Sequence, residues 1–199
     1  MSEERVVFLR SDRVILRPLG KSDLPRLMKW INDPEVRYFL EAFMPMHEGE
    51  EEEWLERLSK RKPNDLVLAI ETTATAEQAT EGVHIGNMGL HRINWRDRTA
   101  TTGAMIGESE YWGKGLGTEA KMLLLDYAFN TLNLRKITSQ VIAFNERSVA
   151  YSKKCGYREE GVLRQHMFRA GQYWDLIQLA VFREDFQPIW EEWQKKRNQ

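Results

Sequence analysis

The residues best suited to chemistry lie between Glu110 and Ala120, in the stretch EYWGKGLGTEA, where Gly113, Gly115 and Gly117 precede a run patterned as a helix. The first turn of a helix leaves backbone N–H groups without intrahelical acceptors and carries about half a positive charge. An anion placed there gains roughly 0.3–1 kcal/mol, and more when partly buried. Glycine lets the backbone come close to such a ligand. A strand ending at Gly107, a glycine loop and a helix beginning near Gly117 therefore form the general apparatus for holding phosphate through main-chain donors, with no need of a lysine or a metal. Two familiar phosphate motifs do not fit. A nucleotide P-loop has four residues between its first Gly and Gly-Lys, then Ser or Thr; here five separate Gly107 from Gly113, and Gly115 follows Lys114. A dinucleotide fingerprint has the form G-x-G-x-x-G, whereas Gly113, Gly115 and Gly117 give G-x-G-x-G. The plainer alternative is a tight turn between strand and helix.

A second stretch with chemical potential runs from Asn145 through Ser148 to Gly156 and Tyr157; taken alone it is a helix with an Asn cap and a glycine stop. The histidines His47, His84, His91 and His166 show no metal-ligand spacing with Cys155 or with one another, so no metal is expected. With 29 basic and 30 acidic residues the chain has a formal net charge of −1, and nothing in that balance points to nucleic acid or a membrane surface. One cysteine cannot close an intrachain disulfide, the opening MSEERVVF lacks a signal-peptide pattern, and no run is long and apolar enough to span a bilayer. A soluble, cytoplasmic protein is expected.

The elements that must position these residues follow from periodicity. At 199 residues and 42% hydrophobic content, a single domain over 1–199 is expected. Val14 to Arg17 patterns as a strand, and Leu24, Leu27, Met28 and Ile31 as a helix with Ser22 as its cap and Asp33-Pro34 as its stop. Short helices are expected at Pro34 to Leu40 and Glu50 to Lys60, then strands at Leu66 to Glu71, Val83 to Leu90 and Thr99 to Gly107, with a surface hairpin loop over Thr72 to Gly82. Gly117 to Thr131 carries Ala120, Leu123, Leu124, Tyr127 and Ala128 on one face of an amphipathic helix. A strand at Lys136 to Ile142, a helix at Glu146 to Cys155, and strands at Arg158 to Arg164 and Tyr173 to Phe182 follow. A last helix is expected over Pro188 to Lys196, with proline in its first turn. This order gives an α/β fold with a mixed sheet and a parallel strand pair near its middle.

At Trp112, Gly115 and Gly117 the sequence resembles the GNAT superfamily of N-acetyltransferases, whose pyrophosphate loop has the form R/Q-x-x-G-x-G/A. Trp112 stands where Arg or Gln is usual. The second stretch matches the family's N-x-x-S/A followed by a Gly and an aromatic residue, here Asn145, Ser148, Gly156 and Tyr157. Leu16-Arg17-Pro18-Leu19 and the run from Arg169 to Asp175 further resemble the RimJ/RimL-type branch, which includes ribosomal-protein N-acetyltransferases and enzymes acting on polyamines and aminosugars. The resemblance implies a GNAT-like mixed sheet flanked by helices, with acetyl-CoA in a splay between two parallel strands. It places the pantetheine arm on the backbone of Met105, Ile106 and Gly107, and the pyrophosphate on Gly113, Lys114, Gly115, Leu116, Gly117 and Thr118. Trp112 borders the loop, and Asn145 and Ser148 meet the arm from the other side. The implied reaction is transfer of an acetyl group from acetyl-CoA to a primary amine, either a protein N-terminus or a small amine. Such an amine is protonated in neutral water, so a base is required, and an acid for the leaving thiolate.

The catalytic side chains are less defined. The tyrosine often used as general acid is replaced by Ser152, with Tyr151 one residue away and about 100° around the helix. Two positions that carry acids in some relatives are Gln140 and Thr101, neither of which can act as a base. Ser152 and Tyr151 remain as proton donors, and Glu108, His166 and Asp175 as bases acting through water, each with a purely structural alternative. Trp30 and Trp54 are core residues first and cleft-lining candidates second. The alternative to an enzyme is an acyl-CoA-binding sensor or scaffold that kept the cofactor cleft and lost its acid and base. A homodimer is a candidate assembly.

Overall fold

The computed structural model describes residues 6–60, 64–73 and 82–197. Its strands are β1 (Leu9–Arg10), β2 (Val14–Pro18), β3 (Leu66–Thr72), β4 (His84–Asn94), β5 (Thr99–Ile106), β6 (Lys136–Ile142), β7 (Arg158–Arg169) and β8 (Gln172–Phe182). Its helices are α1 (Leu24–Asn32), α2 (Pro34–Arg37), α3 (Glu48–Ser59), α4 (Leu116–Asp126), α5 (Glu146–Lys154) and α6 (Arg183–Arg197). The strands form one mixed sheet in the order β1-β2-β3-β4-β5-β6-β8-β7. Pairs β1/β2, β2/β3, β6/β8 and β7/β8 are antiparallel, while β5 and β6 are parallel and connected through α4, as a parallel pair needs a crossover. The chain divides into two compact units, Met1–Gly89 with Ala104–Leu123 and Leu90–Gly103 with Leu124–Gln199.

In the first unit α1 buries Leu27 and Trp30 together with Val36 of α2, and Leu19, Leu40, Trp54, Met105 and Trp112 pack against that cluster. Trp30 is fully buried, so it is a core residue and lines no cleft. Behind it lies a charged knot. Arg17 bonds both oxygens of Asp23, at 2.8 and 2.7 Å, and Glu71 at 2.5 Å, and His84 Nδ1 lies 3.0 Å from Asp23. Burial alone would raise the Asp23 pKa; the bonds from Arg17, His84 and Gly20 outweigh it and hold the carboxyl well below the ordinary aspartate value.

In the second unit Phe129, Phe186 and Trp190 form an aromatic run, with ring centroids 5.4 and 5.9 Å apart. Tyr157 is buried with its hydroxyl 2.9 Å from Thr102 Oγ1, and burial pushes its pKa well above the usual tyrosine value. The edge strand β7 is exposed along most of its length, including Val162, Leu163 and Phe168.

Several boundaries differ from expectation, each for a tertiary reason. Ser22 caps nothing: residues Lys21–Asp23 form a 3-10 turn, and the side chain that closes it is Asp23, which accepts from the Gly20 N–H at 2.8 Å. The second helix stops at Arg37, three residues short of Leu40. Glu119 to Leu125 are buried without interruption, charged Glu119 and Lys121 included, so α4 has no exposed face over those residues, and a π-helical turn at Tyr127–Thr131 follows it. The last helix starts at Arg183, five residues before Pro188, which lies inside it. The Arg183 guanidinium bonds Asn133 Oδ1 at 2.9 Å and the carbonyls of Phe129 and Leu134, and Phe186 is fully buried against Phe129. Packing thus holds the turns that precede the proline. β4 runs on to Asn94 and β7 to Arg169. Most of the hairpin loop expected over residues 72–82 lies outside the described residues.

Candidate active site

The first unit carries the whole glycine loop and the end of β5 that leads into it. Gly107 and Glu108 both donate their backbone N–H to the Ile85 carbonyl, at 2.8 and 3.4 Å, which is the pairing of a β-bulge. Two close approaches hold this bulge. A Cβ on Gly86 would lie 2.0 Å from the Met105 carbonyl oxygen, and one on Gly107 would lie 2.1 Å from Cγ and Cδ2 of Trp30. Trp112 supplies a bond of its own: its indole N–H donates to the Ile106 carbonyl at 2.8 Å. The residue that departs from the usual loop motif therefore ties the loop to β5.

Past Trp112 the chain turns through Gly113 (φ 73°) and Gly115 (φ 80°), both in the left-handed region that glycine enters without strain. The first ladder bond of α4 runs from the Glu119 N–H to the Gly115 carbonyl at 3.1 Å. The N–H groups of the turn before it stand outside the helical ladder, at the end of the helix whose dipole favours an anion. Gly113, Lys114 and Gly115 are exposed, and a Cβ on Gly113 would meet nothing within 4 Å.

Glu108 is engaged. Both its oxygens accept from Lys29 Nζ at 2.9 Å, and Oε1 accepts from the Trp30 indole N–H at 2.9 Å. Partial burial would raise its pKa, but the bonds from Lys29 and Trp30 and the charges of Lys29 and Arg26 lower it below the ordinary glutamate value. A carboxylate so held is a weaker base than a free one.

In the second unit the parallel β5/β6 ladder covers Thr99–Thr101 against Lys136–Thr138; beyond it, Thr102 Oγ1 bonds the Thr138 carbonyl at 3.2 Å. Thr101 faces Thr138, with hydroxyls 3.0 Å apart, and Gln140 bonds Gln178. Asn145 caps α5: its side-chain oxygen accepts from the Ser148 N–H at 3.2 Å. Of the residues on that helix, Ser152 is fully buried and Tyr151 half-buried. Asp175 Oδ1 accepts from the Gln165 N–H at 2.8 Å, at a residue with φ 50° where the β7/β8 register shifts, so it fastens the hairpin irregularity. His166 lies in the same irregularity and is exposed. Among the described residues no group of three His, Cys, Asp or Glu side chains is placed to hold a metal ion, and no helix is long and apolar enough to cross a membrane.

Two residues escaped the sequence analysis. Arg13 bonds Glu119 and the Lys114 carbonyl, and Lys29 pairs with Glu108. Their partners are 101 to 106 and 79 positions away, and no local pattern marks either residue.

Comparison with known proteins gives this geometry a family. The model of the acetyltransferase (GNAT) domain matches residues 13–158. A spermidine N(1)-acetyltransferase of Escherichia coli K12 is 30% identical over 178 residues, covering 87% of this chain and 88% of its own. A putative ribosomal N-acetyltransferase of Bacillus subtilis is 30% identical over 107 residues, covering 54% of this chain and 58% of its own. Among solved structures, the spermidine N-acetyltransferase of Vibrio cholerae in complex with CoA and spermine superposes with a TM-score of 0.78 at 25% identity, over 89% of this chain and 99% of that one. The chain belongs to the GNAT acetyltransferase family.

Proposed function

We propose that this enzyme moves the acetyl group of acetyl-CoA onto a primary amine of a polyamine, binding the coenzyme diphosphate on the backbone of Gly113 to Thr118. The observation that carries the proposal is the loop itself: two left-handed glycines lead into a helix whose first turn offers N–H groups outside its ladder. The pantetheine arm is assigned to Met105, Ile106 and Gly107, and its second contact to Asn145 and Ser148. The polyamine assignment is supported by the spermidine N-acetyltransferases among the relatives, and by the acidic start of α3, where the exposed Glu48 and Glu50 lie in the first turn with exposed Glu52 and Glu53 after them. Such a field attracts polycations.

For the leaving thiolate, Tyr151 is the better proton donor of the two candidates on α5. Ser152 has no exposed surface, whereas Tyr151 is half-buried. For the base, Glu108 and Asp175 are tied to structural partners, which favours the exposed His166 acting through water. Thiol release from acetyl-CoA with spermidine, spermine, an aminosugar and an Ala- or Ser-initiated peptide tests the proposal. Turnover with spermidine and spermine is expected, and turnover confined to the peptide would replace the polyamine with a protein N-terminus. Binding of acetyl-CoA without turnover of any amine would favour a sensor.

A further inference from the structure

The Lys114–Gly115 peptide is held at its carbonyl end. Arg13, immediately before β2, directs one amino group of its guanidinium to the Lys114 carbonyl at 3.1 Å. The same guanidinium is braced on Glu119, with Nε 2.9 Å and the other amino nitrogen 2.7 Å from Oε2, and the Arg13 backbone N–H donates to Oε1 at 3.2 Å. The Glu119 side chain is 7% exposed and that of Arg13 53% exposed, so the brace is anchored at the carboxylate end. In a planar trans peptide the C=O of one residue and the N–H of the next point in opposite directions. A cation on the Lys114 oxygen therefore turns the Gly115 N–H to the face away from Arg13. It also polarises the amide, since hydrogen bonds on the two ends of a peptide strengthen each other. The neighbouring tie obeys the same geometry. Trp112 holds the Ile106 carbonyl, and the Gly107 N–H of that peptide points the other way, to Ile85.

We propose that Arg13 is a positioning residue of the diphosphate cradle: braced by Glu119, it fixes the Lys114–Gly115 peptide with its N–H facing the coenzyme. This rests on the assignment of Gly113 to Thr118 as the coenzyme loop. Gly113 and Gly115 have a wide range of backbone conformations open to them, and the guanidinium restricts that range from a site 101 residues away in sequence. The loop then presents its donors without the ordering cost that a free glycine segment would carry on binding.

The test uses the full chain with Arg13→Gln, Arg13→Lys and Glu119→Gln, with CoA as the titrant in calorimetry and glycine-selective 15N labelling for the amide of Gly115. Arg13→Gln is expected to weaken CoA binding about tenfold. It should also shift the Gly115 amide resonance in the absence of ligand, and raise KM for acetyl-CoA while leaving KM for the amine and kcat at saturating acetyl-CoA within about twofold. Arg13→Lys keeps the charge but cannot hold Glu119 and the Lys114 oxygen together, so it should restore melting temperature without restoring affinity. Glu119→Gln should follow Arg13→Gln in direction. A lowered melting temperature with CoA affinity within twofold of the native protein, or an unmoved Gly115 amide, would overturn the proposal; if Arg13→Gln does not fold, the same two readings on Arg13→Lys decide. Failure of the native chain to bind CoA at all would instead sink the assignment of the loop.

Discussion

Placing a single methyl group on Gly107 should separate packing from coenzyme chemistry. A Cβ there would lie 2.1 Å from two ring carbons of Trp30, against an ordinary carbon–carbon contact of about 3.5–4.0 Å, so the indole must retreat by roughly 1.5 Å. It has nowhere to go, because Trp30 is fully buried and its edge already meets His84 with ring centroids 4.8 Å apart. Its indole N–H also donates to the Glu108 carboxylate at 2.9 Å, a bond that retreat would break. Overpacking costs about 1–3 kcal/mol and a lost bond to a charged group about 1.5–3, which together put Gly107→Ala near 3 kcal/mol or above. For a chain of this size that is a fall in melting temperature of about 6–12 °C. Trp30→Leu alone should also destabilise, by leaving a cavity. In the double variant the smaller side chain makes room for the methyl group, so the two losses should fall short of their sum by at least about 1 kcal/mol. Thermal and denaturant unfolding of the four proteins measures this. Strict additivity, or an unchanged melting temperature for Gly107→Ala, would refute the claim that Trp30 sets the backbone of the β5 bulge.

Three further outcomes follow from other contacts. Asp23 has a folded-state pKa below its unfolded value of about 3.9, so its contribution to stability is present above that pH and is lost as pH falls through the folded value; Asp23→Asn should cost about 3 kcal/mol at neutral pH and flatten the acid limb of a stability–pH curve below about pH 4, and an acid limb of native steepness in the variant would exclude it. Asn145→Ala should cost about 1 kcal/mol through loss of the α5 cap, whereas Asn145→Asp should keep the cap and lose the amide donor, so it should bind CoA more weakly at native melting temperature; equal CoA affinity for Asn145→Asp and the native protein would confine Asn145 to capping. Tyr151→Phe should lower kcat about a hundredfold, while Ser152→Ala leaves kcat in place; the reverse pattern would move the proton donor to Ser152.

Much of this architecture was legible in local pattern. The strand at Val14, the glycine loop, the cap at Asn145 and the β7/β8 pair all depend on interactions within a few residues or on a period of two, and sequence carries both directly. What escaped depends on partners far away. The start of α6 is set by Arg183 reaching Phe129, Asn133 and Leu134, so a proline that looks like a first-turn residue lies inside the helix. The partners of Glu108, Lys29 and Trp30, could not be read locally because they come from a helix some 80 residues earlier. Asp175, a candidate base with a structural alternative, accepts from the Gln165 N–H, a partner ten residues away. Ser152, a proton-donor candidate beside Tyr151, is wholly buried, a property set by tertiary packing that local sequence does not carry.

The central claim, that main-chain amides of the glycine loop hold the coenzyme diphosphate, is tested most directly by titrating CoA into protein labelled with 15N at its 13 glycines. The largest amide shifts should fall on Gly113, Gly115 and Gly117, and should disappear when pantetheine, which has no phosphate, replaces CoA. Saturating CoA that leaves those three resonances in place while moving others would contradict the account.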